Sequence, residues 1–139
     1  MKQYPRNGAE AAMATLEQKG VKLIFGISGG AVLPFYDAIT QSNKIELVMT
    51  RHEQGAAHMA DGYARASGEP GVVLVTSGPG AGNTMTGMMT AQMDRVPMVV
   101  ISGQVPTHVM GTEAFQEADI IGMSEPVTKN NQLVLDPNN

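Results

Sequence analysis

Four short apolar runs constrain this chain more than any other feature: VKLIFGI at 21–27, IELVM at 45–49, GVVLVTS at 71–77 and PMVVIS at 97–102. They are near-continuous blocks rather than in-out alternations, the pattern of strands covered on both faces. Helical signals fill the stretches between them. Residues 8 to 19 predict a helix with Asn7 as its cap, Glu10 in capping-box position and Gly20 suited to a left-handed stop. Further helices are expected from about residue 30 through AVLPFYDAIT, from 53 to 66 and from 80 to 93. Strand and helix therefore alternate. Joined by right-handed crossovers, they predict an α/β fold in which a parallel sheet carries helices on both faces, in three layers.

The chain has 139 residues, enough for one domain with a real core and too few for two comfortable ones. Only 16% of its residues are charged, against about 25% in ordinary globular chains, and glycine fills 16 positions. Such a chain buries much of itself and turns often. A net charge of -4 without any Lys/Arg-rich run lacks the footprint that phosphate backbones demand, so nucleic acid is excluded as a partner. The absence of cysteine rules out disulfides and thiolate metal sites. MKQYPRNGAE has no apolar signal core, and no apolar run approaches the roughly 20 residues that span a bilayer. A soluble, cytoplasmic protein with no membrane partner is expected. At the other end, Asp136 and Pro137 suit the N-cap and first position of a helix for which no residues remain. The chain reads as cut after about residue 137; a frayed polar tail is the plainer alternative.

In open parallel sheets, ligands gather where strands end and helices begin, because backbone N–H groups and helix dipoles converge there. The four junctions here are GISGGAV, TRHEQGAAH, TSGPGAGN and SGQVPTHVMGTEAFQE. SGPGAGNT lacks the Lys-Ser/Thr of a phosphate-binding loop and the last glycine of a dinucleotide fingerprint. It is a tight turn into a helix, open either to a purely structural reading or to close approach by a ligand. His52 and His58, six residues apart, stand about 120° around a helix and cannot share a metal, so no metal site is expected. Glu53 closes an apolar strand and precedes Gly55, Ala56 and Ala57. It suits a proton-exchanging carboxylate, and equally a helix-dipole partner paired with Arg51. Met85, Met88, Met89 and Met93 recur at helical spacing, as core or subunit-interface filler.

Five blocks in order, GISGGAVLPFYDAI, RHEQGAAHMADGYARASG, GVVLVTSGPGAGN, MDRVPMVVISGQVP and GTEAFQEADIIGMSEPVTKNN, resemble the N-terminal, pyrimidine-binding domain of the thiamin diphosphate enzymes. They are most similar to its acetolactate synthase (acetohydroxyacid synthase) large-subunit branch, from about residue 8 to 137. The resemblance implies that Glu53 hydrogen-bonds N1′ of the cofactor's aminopyrimidine, so that the 4′-imino group can deprotonate the thiazolium. It implies that Gly29, Gly30 and Ala31 line the reaction pocket, that Pro79 and Asn83 sit beside the cofactor, and that Phe115 and Gln116 face the substrate. The family's reaction decarboxylates pyruvate and joins the product to a second 2-keto acid, giving 2-acetolactate for branched-chain amino acid biosynthesis. Gly82 departs from the family's usual Thr, and the methionine-rich GMMTAQMDR suggests altered packing.

The resemblance further implies that residues 1–139 form only the pyrimidine domain. The FAD-binding middle domain and the domain that holds diphosphate with magnesium are missing. In the family the diphosphate end is held by the other subunit of a homodimer or homotetramer, which a regulatory small subunit can join. A lone copy therefore carries the proton switch without the anchor and is expected to be inactive alone. Two alternatives stand beside this one: another thiamin diphosphate carboligase, although glyoxylate carboligase lacks the glutamate, or a non-catalytic module pairing with a separate diphosphate-binding subunit.

Overall fold

A computed structural model describes residues 7–136. Helix α1, Gly8–Gln18, starts as its sequence predicts: the Asn7 side-chain oxygen accepts the Glu10 N–H at 2.9 Å. Gly20 follows it at φ +82. Strand β1 is Leu23–Gly26, and a 3-10 turn, Gly30–Val32, leads into α2, Leu33–Thr40. Then come β2 (Glu46–Met49), α3 (Glu53–Ser67) and β3 (Gly71–Val75). The helix expected over 80 to 93 is broken in two, α4 (Pro79–Gly82) and α5 (Met85–Met93), before β4 (Met98–Ser102). A short α6, Ile120–Ser124, which the sequence reading did not foresee, is capped by Asp119, whose carboxylate accepts the Gly122 N–H. Pro137 lies outside the described residues, so the helix announced at Asp136 does too.

The four strands are parallel in the order β2-β1-β3-β4, with Phe25 of β1 opposite Val48 on one side and Val73 on the other. Alternate residues sort the core into two faces. Ile24, Val72 and Leu74 meet Met13 of α1 and Ala38 and Ile39 of α2. Phe25, Val73 and Val75 meet Ala56 and Ala60 of α3 and Ala81 of α4. Helices thus cover both faces of a three-layer α/β domain, as expected. Only the central strands are fully enclosed. Edge positions such as Met49 on β2 and Val99 on β4 are half open to solvent, because each edge has a neighbour on one side only.

Two contacts fix the helices that matter for the site. Arg65 on α3 donates from Nε to Asp61 at 3.0 Å and from Nη2 to Asp94, just beyond α5, at 2.6 Å. These two carboxylates, Asp61 first, hold the guanidinium above even its ordinary value. Gly87 of α5 lies so close to Ala57 of α3 that a Cβ there would stand 2.4 Å from the alanine methyl. Of the methionine row, Met88 is core, Met85 is half-buried, and Met89 and Met93 face solvent.

Candidate active site

Strand order decides where a ligand can enter. The chain leaves β1 toward β2 on one side, whereas β3 pairs with β1 on the other, so the switch point falls between the carboxyl ends of β1 and β3. At that point Gly26 to Gly30, Thr50 to Glu53 and Thr76 to Asn83 converge.

Glu53 is the first residue of α3 and is half-buried. His52 precedes it as the helix cap: Nδ1 accepts the Gln54 N–H at 3.1 Å, an ordinary capping role. The Glu53 carboxylate is held from across the turn after β3, where Asn83 Nδ2 donates to Oε2 at 2.9 Å. Its other oxygen lies over Gly80, 3.3 Å from where a Cβ would project. Arg51, weighed above as an ion-pair partner, is exposed and makes no ion pair with Glu53 among the described residues. The dipole of α3 and the Asn83 amide therefore receive the charge.

The helix break places Asn83. At the break Thr84, 1% exposed, turns its hydroxyl back to the Ala81 carbonyl at 2.6 Å, and Asn83 before it stands beside Glu53. Thr76 sits between the two glycine turns. A Cβ on Gly29 would stand 2.4 Å from Thr76 Cβ, and one on Gly80 would stand 2.7 Å from its methyl, so both must lack a side chain. The Thr76 hydroxyl is buried without a hydrogen-bond partner. Thr76 was not singled out by the sequence reading, which had no pattern by which to tell a strand-end threonine from its neighbours, whereas Gly80 lies in the turn that reading left open to close approach by a ligand.

The other expected residues scatter along the same edge. Gly30 faces open space, Ala31 packs on Gly103 after β4, and Pro79 is exposed at the start of α4. Gln116 is half-buried and left-handed at φ +62; its carbonyl oxygen covers Gly78, itself at φ +50. Phe115 is 87% exposed. Behind the crevice, burial pushes the Tyr36 hydroxyl up to about 12, which keeps it neutral and out of proton exchange. A groove of about 870 Å³ runs between α5, β4 and residues 120–132, but it contains none of the expected site residues.

A parallel sheet clothed on both faces, with a carboxylate and side-chain-free turns gathered at its switch point, defines an α/β cofactor-binding domain. Within that class the match is particular. The chain belongs to the thiamine pyrophosphate enzymes, matching the N-terminal TPP binding domain over residues 6–123. It is 57% identical over 129 residues to the mitochondrial acetolactate synthase catalytic subunit of Aspergillus candidus, covering 93% of this chain and 19% of that protein. It is 57% identical over 128 residues to the acetolactate synthase isozyme 3 large subunit of Escherichia coli K12, covering 92% and 22%. The probable acetolactate synthase large subunit of Methanocaldococcus jannaschii is 55% identical over 130 residues, covering 94% and 22%. The chain thus spans about a fifth of the length of the curated relatives it matches.

Proposed function

We propose that this chain is the pyrimidine-binding part of an acetolactate synthase catalytic subunit, with Glu53 as the residue that exchanges a proton with the cofactor ring. The observation that carries the proposal is the Glu53 carboxylate, with one oxygen tied to Asn83 and the other lying over side-chain-free Gly80 at the switch point. The residues present fit the pyrimidine end of thiamin diphosphate: a carboxylate and an amide able to meet ring nitrogens stand together at a junction whose Gly29 and Gly80 backbone packs directly on Thr76. The unpartnered Thr76 hydroxyl marks the same crevice as polar. When bound, thiamin diphosphate supplies a nucleophilic carbon and an electron sink for decarboxylating pyruvate and condensing the product with a second 2-keto acid.

The chain's own residues have narrower tasks. Glu53 holds or releases a proton at the ring nitrogen N1′, and Asn83 keeps the carboxylate turned toward it. Pro79 and the Gly29–Gly30 backbone flank the cofactor, and Ala31, Phe115 and Gln116 stand on the substrate side. Because Glu53 is only half-buried and Asn83 exposed, the water-poor surroundings that strengthen such a bond must come from another surface. The second subunit of a homodimer or homotetramer, carrying the diphosphate and magnesium site, is that surface in our reading. An FAD domain and a regulatory small subunit complete it, in the cytoplasm, although the Aspergillus candidus relative is named as mitochondrial.

The test is Glu53→Gln in a full-length synthase carrying this segment. The amide keeps the shape and loses the proton exchange. Acetolactate formation should fall at least about a hundredfold, the scale of a lost acid-base group. Undiminished turnover would end the proposal.

A further inference from the structure

The loop after β4 contains a glutamate that the proposed function leaves unused. Glu117 folds back along its own loop: one carboxylate oxygen accepts the Gly111 N–H and the other accepts the Ala114 N–H at 3.0 Å. Charge-assisted bonds from both oxygens fasten the segment at two points. The enclosed backbone is unusual, with Glu113 at φ +58 and Gln116 at φ +62. Residues with side chains keep such conformations only where neighbouring contacts impose them. Asp119, two residues on, does nothing comparable and simply caps α6.

The loop is also docked. The Gln116 carbonyl oxygen lies 2.1 Å from where a Cβ on Gly78 would stand, so the loop rests on the turn that leads to Asn83 and Glu53. The Gln104 side chain ties its far end, donating to the Ala118 carbonyl at 3.2 Å. Yet Phe115, between these anchors, is 87% exposed. An aromatic side chain left in solvent on a fastened loop at the ligand edge is placed to meet something that arrives there.

We propose that Glu117 is a positioning residue, whose carboxylate clamps loop 110–117 so that Phe115 and Gln116 are presented to the 2-keto acid at the mouth of the Glu53 cluster. The proposal rests on the reading of Phe115 and Gln116 as substrate-side residues. Glu117 itself touches no substrate. The Gly111 N–H foremost, with those of Ala114, Thr112 and Glu113, holds its carboxyl below the usual glutamate range, so the clamp is charged at neutral pH.

Two measurements on Glu117→Ala and Glu117→Gln test it. In the 139-residue chain, amide exchange at Gly111 and Ala114 should speed up about tenfold in Glu117→Ala, and at one or both in Glu117→Gln, while β3 amides keep their protection. If Glu117→Ala loses β3 protection as well, the shape-conserving Glu117→Gln decides. Unchanged exchange at both amides overturns the clamp. In a full-length synthase carrying this segment, Glu117→Gln should raise KM for pyruvate about tenfold with kcat little changed, as Phe115→Ala should. Freed amides with an unaltered KM, where Phe115→Ala raises it, overturn the positioning role and leave the substrate-side reading standing. If Phe115→Ala and Gln116→Ala also leave KM unaltered, that reading falls and takes the proposal with it.

Discussion

Exchanging one methyl group between α3 and α5 tests whether the contact that seats Glu53's helix is as close as the geometry requires. In Gly87→Ala the new methyl stands 2.4 Å from the Ala57 methyl, more than 1 Å inside the roughly 3.5 Å at which carbons attract. Overpacking of this kind costs about 1–3 kcal/mol, from which the better helix propensity of alanine recovers about 1 kcal/mol. Ala57→Gly removes a fully buried methyl and a good helix former, a loss of about 2 kcal/mol. With both substitutions the methyl has only changed helices. The double variant should lie within about 1 kcal/mol of the parent, and the coupling between the two positions should be about 2 kcal/mol. Urea unfolding of the four proteins in the cycle measures this directly. Strict additivity, with the double variant as unstable as the two losses combined, would refute the close α3–α5 contact.

Three further outcomes follow from other parts of the molecule. Leu74→Ala, at a position 1% exposed in the central strand, should lower unfolding free energy by about 2–5 kcal/mol in a denaturant titration; a loss below about 1 kcal/mol would show that the two-faced core is wrong. Thr76→Val replaces an unpartnered buried hydroxyl with a methyl, so the unliganded chain should be as stable or up to about 1 kcal/mol more stable in thermal melts; a comparable loss would reveal a partner for that oxygen. Glu117, with its carboxyl lowered in the folded state, contributes stability that is complete above the ordinary glutamate value of about 4.3 and fades as pH falls through the folded value. The stability difference between the parent and Glu117→Gln should therefore be constant from neutral pH down to that point and shrink below it, and a difference that grows in acid would contradict the clamp.

Much of this was legible in the residues. Covered strands need apolar side chains on both faces, so all four apolar runs announce themselves as strands of a covered sheet, and the Asn7 cap and left-handed Gly20 are local matters settled by local chemistry. The position of Glu53 was equally visible, because a helix start directly after a strand places its first carboxylate at the sheet's edge, while a role beyond the helix dipole came only from the resemblance. The continuous helix expected over 80 to 93 failed for a tertiary reason. Its composition permits a helix, but at the break Asn83 turns to meet a carboxylate 30 residues away. Phe115 and Gln116 were named only through resemblance, and Glu117 beside them was passed over, because nothing in TEAFQEAD says that a loop will curl until two amides reach one side chain.

The sequence by itself determined the four strands, the helices α1, α2 and α3, and that the polar and glycine-rich junctions share one edge, since hydrophobic patterning and capping act over a few residues. Tertiary structure alone decided the order β2-β1-β3-β4, the crevice it opens, and which side chains meet there. Those outcomes depend on distances between residues far apart in the chain, and such distances exist only after the two faces of the sheet have packed.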